Sequence, residues 1–262
     1  MKGIYFISDA HLGCRAIGHQ RQRERRLVRF LDDIKDKAQA VYLLGDMFDF
    51  WFEYRTVVPK GFTRFLGKVS ELTDSGVEVH YFTGNHDIWC RGYLTKECGV
   101  IMHYEPITVE LADKVFFIGH GDGLGDPSGR FKLLRSVFHN RLCQWLFSLI
   151  HPSWGVEFGL RWAKHSRAVH DTHTGGQPGD PPYLGEDKEH LVLFAKQYLK
   201  THPDINCFVF GHRHIELDLM LSRSARLFVI GDWVSLCTYL VYDGENLFLE
   251  NYVEGETQLS KP

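Results

Sequence analysis

The feature that most constrains this chain is a set of five apolar runs, each of which is followed by a cluster of Asp, Asn or His side chains. The run at 77–82 leads into Gly84, Asn85, His86 and Asp87. The other four clusters use the same residue types: Asp9 and His11, Asp46 and Asp49, His120 and Asp122, His212 and His214. Short apolar runs bounded by turn residues are typical of buried strands. A single cluster could be an ordinary polar turn, and the repetition is what favours a shared site.

Strand and helix patterns alternate in the first half of the chain, which favours an α/β arrangement. Strands are predicted at 3–8, 40–44 and 77–82, and helices at 20–37 and 59–75. The second half is predicted to be richer in strands, with candidates at 107–111, 115–118, 207–210, 239–242 and 247–249. Asp243 and Gly244 form a suitable hairpin turn between the last two.

The series of predicted strands is interrupted at residues 124–185. The spacing of apolar residues predicts helices at 131–147 and 157–170, and the Gly- and Pro-rich residues 175–185 predict a loop. A further helix is predicted at 186–202. We interpret 124–185 as a helical cap inserted into a single domain that spans residues 1–262.

The composition of the chain limits the classes of function that it could have. A hydrophobic content of 44% and a charged content of 24% fit a globular protein with a sizeable core. The formal net charge of -3 gives no reason to expect nucleic acid as a partner. The arginines within 20–37 could form a nucleic-acid patch, but interleaved acidic residues favour a solvated helix face.

The cysteines and the apolar runs predict a cytoplasmic protein. The six cysteines contain no C-x-x-C pair, which indicates reduced thiols rather than a disulfide framework. The apolar run at 4–7 is too short for the core of a signal peptide. No run approaches the roughly 18 apolar residues of a membrane-spanning helix.

The residue types in the five clusters predict a metal site. The carboxyl ends of strands in α/β folds meet at one crevice, where ligands bind. Aspartate, histidine and asparagine suit borderline divalent metals such as Mn, Fe, Co or Zn. Glycine beside or within four of the clusters allows the backbone to approach a ligand closely. No cysteine is placed among them, which argues against a structural zinc-thiolate site.

The order and spacing of these clusters resemble the five sequence blocks of the calcineurin-like metallophosphoesterases. That resemblance implies a four-layer fold, in which a β-sandwich is flanked by helices, and a site for two divalent ions, with manganese expected. It implies that one ion is held by Asp9, His11, Asp46 and His214, and that the other is held by Asp46, Asn85, His120 and His212. Two cations about 4 Å apart can generate a hydroxide that attacks phosphorus.

His86 is the imidazole of the third block that this scheme assigns to no metal. We predict that His86 stabilises the phosphoryl oxygens or protonates the leaving group, and that Asp87 orients it.

Three stretches, at 43–51, 120–124 and 163–168, are similar to the UDP-2,3-diacylglucosamine diphosphatase family of lipid A synthesis. This resemblance implies hydrolysis of the pyrophosphate of UDP-2,3-diacylglucosamine to UMP and 2,3-diacylglucosamine 1-phosphate. It also implies substrate contacts at Asn85, His86, Asp126, Ser166, His170 and His173.

The cap carries more apolar surface than a short cap needs, which marks either a packing face or a lipid slot. These apolar residues are Phe131, Leu134, Phe138, Leu142, Trp145, Leu146, Phe147, Leu149, Ile150, Trp154, Phe158 and Trp162. The basic residues Arg130, Lys132, Arg135 and Arg141 could meet phosphates or anionic lipid. We therefore expect peripheral contact with the cytoplasmic face of the inner membrane.

Three alternatives remain open on the sequence. The first is a general cytosolic phosphodiesterase or nucleotide phosphatase with the same metals and a different pocket. The second is a metal-free scaffold similar to the retromer subunit, although such proteins lose ligands and this chain has all seven. The third is a nuclease of the same superfamily, which the net charge argues against. The sequence leaves the oligomeric state open.

Overall fold

The apolar runs predicted from the sequence form the strands of two sheets. The computed structural model describes residues 2–125, 136–173 and 183–254, and it describes side chains in these ranges except at 165–173. The strands are β1 (Gly3–Ile7), β2 (Ala38–Leu43), β3 (Glu78–Phe82), β4 (Ile101–His103), β5 (Ile107–Leu111), β6 (Lys114–Gly119), β7 (Cys207–Phe210), β8 (Glu216–Met220), β9 (Arg226–Ile230), β10 (Thr238–Tyr242) and β11 (Leu247–Asn251). The helices are α1 (Gln20–Ile34), α2 (Thr63–Asp74), α3 (Tyr93–Cys98), α4 (Arg141–Ser148), α5 (Pro152–His173) and α6 (His190–Leu199).

The first sheet has the strand order β11-β10-β1-β2-β3-β4, and the second has the order β5-β6-β7-β9-β8. Strands β1 to β4 run parallel, as do β6, β7 and β9. Every residue of β1 and β7 is buried, which is the pattern of a central strand covered on both faces. These parallel runs bring the carboxyl ends of their strands to one edge of each sheet.

Alternation along β1 and β2 divides the core between the two faces of the first sheet. Tyr5 and Ile7 pack toward the helices, whereas Ile4 and Phe6 pack toward the second sheet. Helix α6 covers the outer face of the second sheet, where Leu191 packs in the same cluster as Phe208. The layers are therefore helices, sheet, sheet and helix, which confirms the predicted mixed α/β fold with two sheets flanked by helices.

The cap segment differs in one respect from its prediction. Instead of one helix across 131–147, the described part has a helical turn at 136–139 and then α4. The break falls at Asn140, whose backbone is extended and whose side chain accepts hydrogen bonds from the amides of Leu142 and Cys143. An asparagine in this position caps a new helix, so it corrects the prediction of one continuous helix. Residues 131–135 and most of the predicted loop 175–185 lie outside the described residues.

Aromatic side chains of the cap pack against the loops that follow β2 and β3. The Phe147 ring lies 4.8 Å from that of Phe52 and 5.1 Å from that of Trp89, measured between centroids. A side chain at Gly159 would overlap the Phe50 ring, so α5 approaches this loop closely. The cap is thereby held over the region where β2 and β3 end.

Two expectations about the chain as a whole can be checked directly. All six cysteines are free thiols, as predicted, and most of them are buried. Within the described ranges, we find no helix whose length and apolar character would let it cross a bilayer.

Candidate metal centre

The predicted ligands meet where the parallel strands end. Nε2 of His11 lies 3.2 Å from Nε2 of His214 and 3.7 Å from Oδ1 of Asp9. The same nitrogen is 3.9 Å from Oδ2 of Asp46, and Nε2 of His120 is 3.4 Å from that oxygen. Side chains from both sheets therefore converge on one centre, although they are up to about two hundred positions apart in the sequence.

Two groups of possible ligands can be separated within this centre. Asp9, His11 and His214 form one group, and Asp46, His120 and His212 form the other. The ligand atoms in each group lie within 4.8 Å of one another. Asp46 also forms a group with His11 and His86, so its carboxylate lies near both of the ligand groups named above. This arrangement is compatible with the grouping that the resemblance implies, with Asp46 shared.

Most of these residues have an unusual backbone conformation. Positive φ angles occur at Asp9 (55°), His11 (41°), Asp46 (51°), His212 (69°) and His214 (51°). Residues other than glycine seldom adopt this left-handed region, and it persists where the surrounding structure holds it. The sharp turns aim the side chains inward from the strand ends.

Hydrogen bonds between the turns hold these conformations. The amide of His212 donates to Oδ2 of Asp9, and the amide of His86 donates to Oδ1 of Asp46, each at 2.8 Å. The amide of His11 donates to the carbonyl oxygen of Asp46 at 2.9 Å. Each loop therefore positions a carboxylate or a backbone group of another loop.

Two of the glycines noted in the sequence are required by close approach. A Cβ atom at Gly84 would overlap the carboxylate of Asp46, and one at Gly211 would overlap the hydroxyl of Ser8. Any larger residue would push the third and fifth loops away from the first two.

Several buried polar atoms at the centre have no hydrogen-bond partner among the described residues. They are Oδ1 of Asp9, Oδ1 of Asn85 and Nε2 of His120. Buried polar atoms without a partner are costly, and they call for an explanation such as a bound ion. These atoms are oxygens and an imidazole nitrogen, the donor types that borderline divalent metals prefer. The residues present therefore fit a metal centre.

The charges at the centre shift the pKa values of its members. Burial by itself would raise the pKa of Asp46, but the imidazoles of His120 and His86 hold that pKa well below its usual range. Burial would lower the pKa of His120, but Asp46 raises it well above its usual value. Burial and the nearby His120 lower the pKa of His212 to about 4. The carboxylates thus draw positive charge into the site, which divalent cations would also provide.

Two carboxylates lie behind the ligands: Asp49, which belongs to the second cluster but was given no role from the sequence, and Asp232, which was not singled out. Oδ2 of Asp232 lies 3.1 Å from Nδ1 of His214, and Oδ1 of Asp49 lies 3.5 Å from Nδ1 of His11. The Asp232 carboxylate is itself fixed by the amides of Val234 and Ser235. A group on the far nitrogen of a ligating imidazole sets its tautomer and orientation. Asp232 follows an apolar run and Gly231, so the rule used for the five clusters could have found it.

The structure also separates the roles predicted for His86 and Asp87. Asp87 is fully buried, and its carboxylate accepts hydrogen bonds from the amide of Gly84 (2.7 Å), the amide of Met47 (2.9 Å) and the hydroxyl of Tyr81 (2.5 Å). Nδ1 of His86 instead lies 3.0 Å from the carbonyl oxygen of Asp49. The group that orients His86 is therefore Asp49, in place of the predicted Asp87, whose carboxylate holds the turn.

The remaining predicted substrate contacts cannot be placed at the level of side chains. Asp126 lies outside the described residues, and Ser166, His170 and His173 lie on α5 where only the backbone is described. These four contacts stay predictions. Trp162 and Ala163, which directly precede this part of α5, line the cavity described next.

An apolar cavity of about 310 Å³ opens beside the metal centre, beneath the cap. Asn85 and His86 form part of its lining. The rest of its wall is mainly apolar and includes six aromatic side chains: Phe50, Trp89, Phe138, Phe147, Phe158 and Trp162. This volume is in the range of a small-molecule site.

The two-sheet fold and this centre define a metal-dependent hydrolase. The family model described as calcineurin-like phosphoesterase matches residues 3–216, and the chain belongs to this family. Membership implies divalent metal ions and an enzyme that acts on phosphorus esters or anhydrides.

Relatives of known name match nearly the whole chain. A UDP-2,3-diacylglucosamine hydrolase of Porphyromonas gingivalis is 43% identical over 258 residues, which cover 97% of this chain and 98% of that protein. A protein of the same name from Neisseria meningitidis serogroup B is 30% identical and covers 89% of this chain and 90% of its own. Among solved structures, the Escherichia coli phosphoesterase Yfce is similar with a TM-score of 0.42 and 14% identity, covering 94% of this chain and 90% of its own.

Proposed function

We propose that this enzyme hydrolyses the pyrophosphate of UDP-2,3-diacylglucosamine and releases UMP and 2,3-diacylglucosamine 1-phosphate. The names of its relatives support this substrate, because the best of the matches reported above covers almost all of both chains. The reaction belongs to the class that the family performs, which is metal-dependent cleavage at phosphorus.

The observation that carries the proposal is the apolar cavity that begins at the metal centre. The cavity has a volume of about 310 Å³ and a mainly apolar lining, which favours a substrate with a large apolar group near the phosphate that is cleaved. An acylated sugar phosphate needs such a space, because its acyl chains leave water when it binds. Burying apolar surface contributes roughly 25 cal/mol per Å².

We propose that seven side chains hold two divalent ions. Asp9, His11, Asp46 and His214 would hold one, and Asp46, Asn85, His120 and His212 the other. Ions bound there would supply Lewis acidity toward the phosphoryl oxygens and would lower the pKa of a water molecule. We propose manganese as the ion; the oxygen and imidazole donors without thiolate suit it, as they also suit Fe, Co and Zn.

His86 is proposed to act on the departing phosphate. Its contact with the Asp49 carbonyl oxygen assigns a proton to Nδ1. Nε2 then accepts in the neutral ring and donates in the charged ring. In the charged ring Nε2 donates to a phosphoryl oxygen or transfers its proton to the leaving oxygen of 2,3-diacylglucosamine 1-phosphate.

Asp87 acts indirectly in this scheme, as a positioning residue. Its buried carboxylate ties the amide of Gly84 to that of Met47, and this link fixes the turn that carries Asn85 and His86.

We further propose peripheral contact with the cytoplasmic face of the inner membrane. Support comes from a row of exposed apolar side chains on and beside α4 and α5: Leu142, Trp145, Leu146, Leu149, Ile150, Trp154 and Phe158. An apolar surface of this extent favours a lipid interface over water. Arg141 also lies exposed at the start of α4, whereas the other basic residues noted in the sequence, Arg130, Lys132 and Arg135, lie outside the described part of the chain.

The test measures UMP release by the manganese-loaded protein. We expect rapid release from UDP-2,3-diacylglucosamine, little from UDP-N-acetylglucosamine, and slow cleavage of bis(p-nitrophenyl) phosphate. Equal rates on the two UDP-sugars would contradict the lipid assignment and favour a general phosphodiesterase. If the wild-type protein cleaved none of the three substrates, the assignment of this protein as a hydrolase would be contradicted.

A variant with an altered cavity wall tests whether the acylated substrate uses the apolar cavity. Phe138→Ala removes an aromatic ring from the cavity and should raise KM for the acylated substrate about tenfold or more, since burying such a side chain is worth about 1.5–3 kcal/mol. Cleavage of bis(p-nitrophenyl) phosphate should not change. Leu193→Ala removes an exposed apolar side chain from α6 and serves as the control.

A further inference from the structure

The fifth ligand loop, residues 211–214, is also held from the side of helix α6. Arg213 lies between His212 and His214, which belong to different ligand groups of the metal centre. Nε and Nη2 of Arg213 donate to Oε1 and Oε2 of Glu189, at 2.6 Å and 3.1 Å. Glu189 is fully buried and Arg213 is 8% exposed, so this ion pair is shielded from water. Two parallel hydrogen bonds between a guanidinium and a carboxylate fix direction as well as distance.

Glu189 is itself held in place by helix α6, which it directly precedes. Its carbonyl oxygen accepts a hydrogen bond from the amide of Leu193 at 3.0 Å, and its amide donates to the carbonyl oxygen of Gly185 at 2.9 Å. Leu191, in the first turn of α6, is buried in the same core cluster as Phe208 of β7. The carboxylate that holds the fifth loop is therefore attached to a packed helix.

The backbone on either side of Arg213 is strained. His212 and His214 have φ angles of 69° and 51°, a conformation that persists only where the surroundings hold it. Asp9 accepts a hydrogen bond from the amide of His212, and Asp232 lies against the ring of His214. Each of these contacts acts on one histidine. The ion pair acts on the residue between them, so it is placed to restrain both.

Stability alone gives no reason for an ion pair at this position. Apolar side chains of similar size often stabilise a protein core as well as a buried ion pair does, because burying two charges is costly. An apolar pair, however, has no preferred direction, whereas the bidentate contact has one. Direction matters here because the neighbouring side chains must point at the metal centre.

We propose that Glu189 and Arg213 are positioning residues for the metal centre, and that their ion pair holds His212 and His214 in their ligand positions. This inference rests on the proposed function, since that function assigns one of the two histidines to each ion.

The experiment titrates the metal-free protein with Mn²⁺ and records Tm on the same samples. Glu189→Gln keeps the size of the side chain and removes its charge. It should weaken Mn²⁺ binding about 10- to 100-fold, as is typical for a group that orients metal ligands, and the loss should appear at both binding steps. A loss confined to one step would contradict a role at both histidines, and wild-type affinity would overturn the inference.

A double variant separates positioning from stability. Arg213→Met alone leaves the Glu189 charge buried without its partner and should lower both Tm and Mn²⁺ affinity. Adding Glu189→Leu replaces the pair by apolar side chains, so Tm should recover while the Mn²⁺ affinity stays low. Recovery of both quantities would show that the pair acts only through stability, and would overturn the inference.

Leu227→Ala is the matched destabilising control. Leu227 is a buried core residue of β9, outside the ligand loops, so the variant should lower Tm and bind Mn²⁺ like the wild type. Equal losses of affinity in Leu227→Ala and Glu189→Gln would contradict the positioning role. A wild-type protein that binds no Mn²⁺ would contradict the proposed metal centre itself, whereas a wild type that binds two ions beside an unaffected Glu189→Gln would contradict only the role of the ion pair.

Discussion

Strained backbone at single residues is what shapes the metal centre. Asp9, His11, Asp46, His212 and His214 all have positive φ angles. Each such residue costs of order 1–3 kcal/mol, so the five together must be held by strong local contacts. The amide-to-carboxylate bonds from His212 to Asp9 and from His86 to Asp46 are contacts of this kind. The centre is therefore preorganised before any ligand arrives.

Replacing His86 with alanine should separate chemistry from metal binding. We expect kcat to fall about 10²- to 10⁴-fold, the usual contribution of a general acid, while the metal content stays the same. Steady-state kinetics on bis(p-nitrophenyl) phosphate and on the acylated substrate, with elemental analysis of the same samples, provide the measurement. His202→Ala, at an exposed histidine, is the control. Full activity in His86→Ala would remove His86 from the mechanism.

Replacing Asp232 with asparagine should weaken the metal site without removing a ligand. The carboxylate fixes Nδ1 of His214 at 3.1 Å, and such supporting groups typically contribute 10- to 100-fold in metal affinity. Titration of the metal-free protein with Mn²⁺ measures the change, and Asp204→Asn on an exposed loop is the comparison. An unchanged affinity would show that the contact does not orient His214.

At the scale of elements, two histidines connect the neighbouring strands β3 and β4. His80 on β3 and His103 on β4 contact each other, and the His80 ring stacks on Tyr42 with centroids 4.3 Å apart. Burial and the neighbouring His80 lower the pKa of His103, and burial also lowers the pKa of His80. Folding therefore favours the neutral form of both rings.

This pair should make the fold sensitive to acid. The pKa of His103 is about 4 in the folded state against 6.5 as the ordinary value, so the unfolded chain binds more protons between these pH values. The stabilisation is present above pH 6.5 and is lost as the pH falls toward 4. We expect Tm to fall less between pH 7 and pH 5 in His103→Gln than in the wild type. Parallel pH profiles for the wild type and for His202→Gln would be compared, and identical slopes in all three proteins would contradict the assignment.

Local patterns predicted most elements, and the exceptions have a physical reason. Strands β1, β3 and β7 lie within one or two residues of the predicted runs, because buried parallel strands are nearly continuous apolar runs. The short elements α3 and β4 were not predicted, since six and three residues carry too little periodicity. Asn140 was read as part of a helix because its capping role depends on where the next helix starts.

At the scale of the whole molecule, the cap presents one apolar face to the metal centre and another to the surroundings. Trp154 is 73% exposed and Leu149 is 66% exposed, whereas Ala163 on the same cap is 3% exposed. The cap therefore does more than pack against the sandwich. An outward apolar face next to an apolar cavity suits an enzyme whose substrate carries acyl chains.

Trp154→Glu should reduce binding to lipid vesicles. The substitution removes the most exposed tryptophan of this face and adds a negative charge, and both changes oppose insertion into an interface. Co-sedimentation with vesicles of phosphatidylethanolamine and phosphatidylglycerol should show a several-fold lower bound fraction. Leu193→Glu on α6 should bind like the wild type. Equal binding of both variants would contradict a membrane contact through the cap.

The sequence by itself determined which residue types stand at the strand ends and therefore the kind of chemistry this protein performs. That information is local, because an apolar run and the glycine and polar residues after it lie within a short window. The tertiary structure alone decided how those groups face one another. It brought the Asp87 carboxylate to the amide of Met47, placed the Asp49 carbonyl oxygen against His86, put Asp232 behind His214 and formed the apolar cavity beside the centre. These contacts join loops that are mostly tens of residues apart, so a short stretch of sequence can indicate a polar residue such as Asp232 but not its partner, which depends on how strands and layers pack.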